Sequence, residues 1–308
     1  MAGETTTVSP AIVFERERMR TSTVAPAATQ TAGSSGPTHS AHGRRPRRWR
    51  LSWASVIAAV LGVTGMLVFM YPSTAGWWSS YNQTKVIVAN NAVVRENLTP
   101  GNAEKLAQAH KYNELLSAGA ITIGAGEHKP LTEGTDVAGG LVYEDLLDGL
   151  DGIMARIKIP SIDVDLPVRH GTSDDVLLSG AGHLQGTSLP VGGIGTHSVI
   201  SAHRGLATAR MFDDLGELEI GDTFVVEVLD EVLTYQVIET RVIEPDDTET
   251  VLPREGEDLV SLITCTPLGI NTHRILVTGE RITPTPIGDL EAAGAIPDVP
   301  GFPWWAVI

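Results

Sequence analysis

Hydrophobic and polar positions change their pattern several times along the chain. Residues 51–71 carry no charged side chain and consist mostly of Val, Ile, Leu, Ala, Met, Phe and Gly. Such a run is long enough to cross about 30 Å of hydrocarbon as a helix. Residues 86–119 are interrupted by proline only at Pro100, and Thr99-Pro100 reads as a helix N-cap followed by proline at the first helical position. That predicts two helices on a stalk after the span. Residues 121–140 are rich in Gly and Thr and poor in periodicity, which predicts a long loop.

From Ile153 onward the period shortens to two. Ile153, Ala155, Ile157 and Ile159 alternate with Met154, Arg156 and Lys158, the signature of a half-buried strand. Similar runs occupy residues 163–168, 197–202, 223–229, 232–243, 258–265 and 274–282, and only residues 207–215 between them suggest a helix. Seven or eight short strands within about 130 residues point to a β-barrel or a sandwich. The sequence shows no internal repeat.

Charge gives this pattern a direction. Residues 1–50 hold eight arginines and three glutamates, a balance of +5, while residues 51–308 hold 14 basic and 34 acidic groups, a balance of −20. The basic cluster Arg44-Arg45-Pro46-Arg47-Arg48-Trp49-Arg50 stands immediately before the apolar run, so the positive-inside bias places the N-terminus in the cytoplasm and the bulk of the chain outside. A cleavable signal peptide is the rival reading, with Ser73-Thr74-Ala75 as small residues, but signal cores usually span about 7 to 15 residues. Residues 1–43 are rich in Thr, Ser, Ala, Pro and Gly and read as a disordered tail. The acidic exterior repels nucleic acid, and no such partner is expected.

The chain has one cysteine among 308 residues, which excludes a disulfide scaffold and a cysteine-rich zinc module. In an oxidising exterior, Cys265 is either a buried apolar filler or a free thiol with a task. Its neighbours favour the second reading. It ends the apolar run Leu259-Val260-Ser261-Leu262-Ile263-Thr264, and the turn sequence Thr266-Pro267-Leu268-Gly269 follows it. The next strand opens with His273-Arg274, which brings a guanidinium near the thiol. A thiol nucleophile needs a proton carrier. His203 is delivered by the run Ser198-Val199-Ile200-Ser201-Ala202 into an Arg204-Gly205 turn, and His273 is the rival by closeness in sequence. The scattered histidines and lone cysteine suggest neither a metal nor a cofactor, and Glu244-Pro245-Asp246-Asp247-Thr248-Glu249 reads as a solvated acidic turn.

Residues 263–277, Ile-Thr-Cys-Thr-Pro-Leu-Gly-Ile-Asn-Thr-His-Arg-Ile-Leu-Val, resemble the active-site strand pair of class C sortases, the pilin-polymerising transpeptidases of Gram-positive bacteria. Ala202-His203-Arg204-Gly205, with Met211-Phe212-Asp213-Asp214-Leu215 after it, is similar to the histidine segment of that family, and residues 183–190 resemble another of its blocks. The likeness covers roughly residues 112–281. It implies a mainly β fold, an eight-stranded sortase-type barrel with short helices, behind an N-terminal transmembrane helix and a helical stalk. The implied divisions are a basic tail at 1–50, a span at 51–71, a stalk at 72–120, a loop or lid region at 121–150, a catalytic barrel at 151–285 and a tail at 286–308.

The resemblance also implies roles. Cys265 matches the nucleophile, His203 the general acid/base, and Arg274 the residue that holds substrate and steadies the oxyanion. The implied substrates are pilins or surface proteins bearing an LPXTG-type signal, with a pilin lysine amine as acceptor and the membrane as a further partner. Attachment of single proteins to peptidoglycan and a catalytically idle barrel for adhesion or assembly are the alternatives. The family's Asp-Pro-aromatic lid motif has no match, since no Asp-Pro dipeptide occurs; residues 124–140 stand where a lid is expected. Pro303-Trp304-Trp305-Ala306-Val307-Ile308 resembles the interfacial start of a second membrane helix.

Overall fold

A computed structural model describes residues 52–96, 101–118, 136–137, 140–298, 301–302 and 304. The basic tail, the Thr99-Pro100 cap and most of the 124–140 segment lie outside the described residues. All described elements belong to the unit Trp53–Ile308.

Helix α1 runs from Trp53 to Glu96 without a break. Its apolar half exposes Ile57, Leu61, Val68 and Phe69, and by length and composition it is a candidate membrane span. The helix does not stop where the apolar run ends. Pro72 lies inside it and removes one backbone donor, while the hydroxyls of Ser73 and Thr74 bond back to the Met70 carbonyl at 3.0 and 3.1 Å. Nearby carbonyls thus keep partners through the proline turn. Helix α2, Gly101–Ser117, follows and docks through buried Ala109 and Tyr112. A short pair, β1 Asp136–Val137 and β2 Leu141–Val142, precedes the main domain.

Eight strands then close a barrel: β3 Ile153–Ile159, β4 Val164–His170, β5 Ala181–His183, β6 Thr196–Ser201, β7 Thr223–Val228, β8 Glu231–Ile243, β9 Asp258–Thr266 and β10 His273–Arg281. Their order is β10-β8-β7-β3-β4-β5-β6-β9, and β9 pairs with β10 to complete the ring. The β4–β5 and β6–β9 pairs are parallel and the others antiparallel. A barrel, not a sandwich, is therefore the solution, and closure leaves no exposed sheet edge.

Alternation sets the two faces. Phe224, Val226 and Val228 of β7, Leu233, Tyr235 and Val237 of β8, Val260 and Leu262 of β9, and Ile275 and Val277 of β10 join one core cluster. A register shift between Thr278 and Gly279 brings Gly279 against the Phe224 ring, where an added Cβ would lie 2.5 Å from Cε1. Side chains of the other parity on β9 and β10 face outward.

Three expectations need correction. Strand β3 is not half-buried, because Met154 and Arg156 on its other face are buried too. Arg156 binds Asp165 through Nε and Nη2, both at 2.6 Å, and Glu227 at 3.2 Å, while Lys158 reaches Glu227 at 2.5 Å. A buried cation so paired keeps its partners. Residues 207–215 do not form a helix. Their buried side chains Ala209, Met211, Phe212 and Leu215 are drawn into an irregular turn, with only a 3-10 turn at Leu215–Glu217. Helix α3, Asp174–Ser179, and strand β5 were not foreseen, being six and three residues long. Short elements carry too little periodicity to read.

The tail is fastened as well. Helix α4, Ile287–Glu291, leads to a turn whose Ala292 and Ala295 carbonyls accept from Lys158 and Arg156 at 2.9 and 2.8 Å. Phe302 then packs edge-on against Trp77 of α1 at a centroid distance of 5.0 Å.

Candidate active site

Cys265 is the penultimate residue of β9, half-buried and unpaired with any sulfur. Outward parity keeps it off the core, since Val260 and Leu262 point the other way. Directly opposite on β10 stands Arg274. The connection between them is a tight turn in which Ile270 and Asn271 donate their N–H groups to the Pro267 carbonyl at 3.1 and 2.9 Å, with Gly269 and Asn271 at positive φ. Arg274 Nη1 donates to the carbonyls of Asn271 and His273 at 2.9 and 3.0 Å. Its Nε and Nη2 donors have no protein partner among the described residues, so the fork is anchored at one prong and open at the other.

His203 reaches the same place from β6. This strand runs parallel to β9 with Ser201 opposite Ile263, and two residues further on the same spacing leads to His203 and Cys265. The last bonds across this seam are from the Ala202 N–H to the Ile263 carbonyl, 3.2 Å, and from Thr264 Oγ1 to the Ala202 carbonyl, 2.8 Å. Cys265 and Arg274 thus stand side by side on the outer face of β9 and β10, and His203 lies in the turn that leaves β6 at the same end of the barrel. Each is half-buried, a level of exposure that leaves room for a substrate.

The rival base does not share this arrangement. His273 adjoins Arg274 in sequence and therefore projects from the opposite face of β10. Its Nε2 lies 3.2 Å from Glu244 Oε1 and its Nδ1 2.9 Å from Thr272 Oγ1.

Two further histidines, His183 and His197, are structural. His183 is fully buried, with Nδ1 2.8 Å from the Tyr143 hydroxyl and Nε2 2.8 Å from the Ser188 carbonyl. The carbonyl can only accept, so Nε2 carries the proton and Tyr143 donates to Nδ1. Burial lowers the His183 pKa from 6.5 to about 4, and burial likewise pushes the Tyr143 hydroxyl far above the usual tyrosine range. His197 Nε2 meets Ser261 Oγ at 2.7 Å, and Ser261 meets Thr278 Oγ1 at 2.8 Å. This polar chain crosses β6, β9 and β10 below the site on the same three strands. Burial lowers the His197 pKa.

Two groups near the site escaped the sequence reading. Arg204 donates through Nε to the Asp213 carbonyl and through Nη1 to Thr266 Oγ1, at 2.9 and 3.1 Å. Thr264 anchors the seam as described above. Arg204 stands inside the Arg204-Gly205 turn motif, but sequence alone does not say what its side chain reaches. Among the described residues, no three His, Cys, Asp or Glu side chains converge as metal ligands. What the arrangement offers is a thiol, an imidazole at the adjoining strand end and a guanidinium with free donors, the elements of nucleophilic acyl transfer.

Comparison with known proteins places this barrel. The sortase domain family matches residues 157–282. Sortase C-1 from Actinomyces oris is 47% identical, with 58% of this chain and 98% of that one covered at a TM-score of 0.52. Sortase C from Streptococcus pneumoniae is 41% identical, with 64% and 96% covered at a TM-score of 0.55. The chain belongs to the sortase family. Among curated relatives, sortase D of Bacillus subtilis is 33% identical over 131 residues, which is 41% of this chain and 63% of the relative. The chain thus spans a little under two thirds of the length of that relative.

Proposed function

We propose that the protein is a membrane-anchored cysteine transpeptidase that cleaves an LPXTG-type sorting signal between Thr and Gly and joins the threonine carbonyl to a lysine amine of a pilin. The observation that carries this reading is the placement of Arg274 opposite Cys265, with His203 delivered beside them by a parallel strand. Likeness to sortase C chains, one of them reported for its pilin substrate specificity, supports the choice of substrate.

In the proposed reaction, the Cys265 sulfur attacks the threonine carbonyl and its proton passes to His203. The free Nε and Nη2 donors of Arg274 face the developing oxyanion, an interaction often worth about 3 to 4 kcal/mol. His203 then protonates the departing glycine amine, leaving a thioester on Cys265. An incoming lysine amine gives its proton to His203, attacks the thioester and releases the thiol, so the product is an isopeptide bond and the enzyme is restored. The apolar half of α1 serves as the anchor, with the basic residues before it in the cytoplasm and the barrel outside.

The test is intact-mass spectrometry of the full chain in detergent after incubation with an LPXTG-type peptide, alongside Cys265→Ala. A mass gain equal to the peptide without its glycine portion, absent from the variant, is expected. Adding a lysine-bearing pilin peptide or a peptidoglycan-stem amine then identifies the acceptor. Absence of both adduct and cleavage in the native chain would return the barrel to a role in adhesion or assembly.

A further inference from the structure

We infer that Arg204 is a positioning residue for this reaction, a guanidinium staple that holds the His203 turn at a fixed distance from the Cys265 strand. The inference rests on the reading of Cys265 as nucleophile and His203 as base.

The need for a staple follows from how His203 is held. In triad enzymes a third side chain orients the base. Here the His203 imidazole has no hydrogen-bond partner among the described residues, and only its carbonyl is bonded, accepting from the Phe212 N–H at 3.0 Å. With no hydrogen bond to orient the ring, its placement depends on the backbone that carries it together with its packing. That backbone leaves the sheet after Ala202, where the bonds to Ile263 and Thr264 end. Two contacts shape the turn that follows, Phe212 N–H to the His203 carbonyl and Gly205 N–H to Asp213 Oδ1 at 2.6 Å. Both are internal to the turn and give it no hydrogen bond to β9, which it otherwise meets through apolar packing of Met211 and Phe212 in the core and of Gly205 on Leu268.

Arg204 supplies the missing tie. Its Nε grips the far side of the turn at the Asp213 carbonyl, and its Nη1 grips Thr266, the residue after the nucleophile. Beyond Ala202, this is the side-chain hydrogen bond that joins residues 203–213 to the β9–β10 turn among the described residues. Both donors belong to one rigid plane, so the distance between the two acceptors is fixed by covalent geometry. A lysine ammonium has a single nitrogen and cannot span them. A cation also lies near the thiol, and charge alone is a competing explanation for any effect of Arg204. The two explanations part at lysine, which keeps charge and loses the fork.

The experiment compares the native full chain in detergent with Arg204→Lys, Thr266→Val and the double variant. Thr266→Val removes the acceptor with little change of shape and guards against misfolding of the arginine variants. Three quantities are read: kcat and KM for an LPXTG-type peptide, the pH dependence of Cys265 alkylation by iodoacetamide, and the melting temperature. Each single change is expected to lower kcat by about 10- to 100-fold with KM held within about twofold. The alkylation profile of both single variants is expected to differ from that of the native chain, and the double variant to be no worse than either single. Rescue of kcat by lysine, independent multiplication of the two single effects, or losses that merely track unfolding would overturn the inference. If the native chain forms no thioacyl adduct, the transpeptidase reading fails, while the alkylation series still decides whether Arg204 sets the His203–Cys265 relationship.

Discussion

Arg274 faces Cys265 directly across the β9–β10 pair, with one prong of its guanidinium held by the carbonyls of Asn271 and His273. The held prong fixes the direction of the free one. Arg274→Lys keeps the charge and loses the anchored fork, so kcat/KM is expected to fall by about 100-fold or more, roughly the 3 kcal/mol lost with an oxyanion donor. Because the side chain is half-buried and on the outer face, the melting temperature should move by only a few degrees. A near-native rate in steady-state peptide cleavage would remove Arg274 from the oxyanion role.

His203 and His273 make opposite predictions. His203 stands at the end of β6 beside the nucleophile strand, whereas His273 projects from the other face of β10 toward Glu244. Substituting His203→Gln is expected to abolish transfer, with a loss of at least about 100-fold for a missing acid/base. His273→Gln should retain turnover within about threefold, since an exposed side-chain contact on the far face of the strand contributes little. Single-turnover cleavage of a sorting-signal peptide separates the two, and the reverse ranking would transfer the base assignment to His273.

The core strands were legible as short apolar runs bounded by turn residues. The runs at residues 259–263 and 275–277 are short, apolar and rich in branched side chains, and Val260, Leu262, Ile275 and Val277 enter the core cluster. The Cys265–Arg274 pairing was accessible for a related reason, as a short turn between two apolar runs forces neighbouring strands. The residue pattern alone left barrel and sandwich open, because closure depends on the parallel β6–β9 and β4–β5 pairs, whose partners lie far apart in sequence; the resemblance carried by the Cys265 and His203 segments was what implied the eight-stranded barrel. The 207–215 turn misled because its apolar spacing satisfies a helix. Its actual form is set by bonds from Phe212 and Arg204, which no local pattern reports.

His183 predicts an acid limit to stability. Its imidazole falls from 6.5 to about 4 on burial, so the folded state disfavours the proton that the unfolded chain accepts. The His183 contribution is complete above about pH 6.5 and is lost as pH falls toward 4, at about 1.4 kcal/mol per pH unit and roughly 3 kcal/mol in all. His197, lowered for the same reason, steepens the loss. Asp258 acts with the opposite sign, because burial raises its carboxyl. Its contribution is present below the unfolded carboxylate pKa and disappears as pH rises through the folded one, which softens the slope only at the acid end. Urea midpoints at about pH 7 and about pH 5 should therefore differ clearly in the native chain. His183→Gln should be less stable at pH 7 yet show a flatter pH dependence, and an unchanged slope would show that His183 is not the titrating group.

Gly205 separates stability from rate. It sits at φ +79°, and an added Cβ would lie 2.4 Å from Leu268 Cδ2. The left-handed backbone costs an alanine about 1 to 2 kcal/mol, and no change at Leu268 can return it. The clash is different in kind. Leu268 is 56% exposed, so its side chain can swing aside, but it belongs to the turn whose Asn271 carbonyl anchors Arg274. Gly205→Ala is therefore expected to lose both stability and kcat. Adding Leu268→Ala should recover most of the rate while leaving the urea midpoint depressed. Joint recovery of both quantities would place the whole penalty in the steric contact. Recovery of neither would place the loss of rate in the His203 turn itself, where the displaced Gly205 N–H gives up its bond to Asp213 Oδ1.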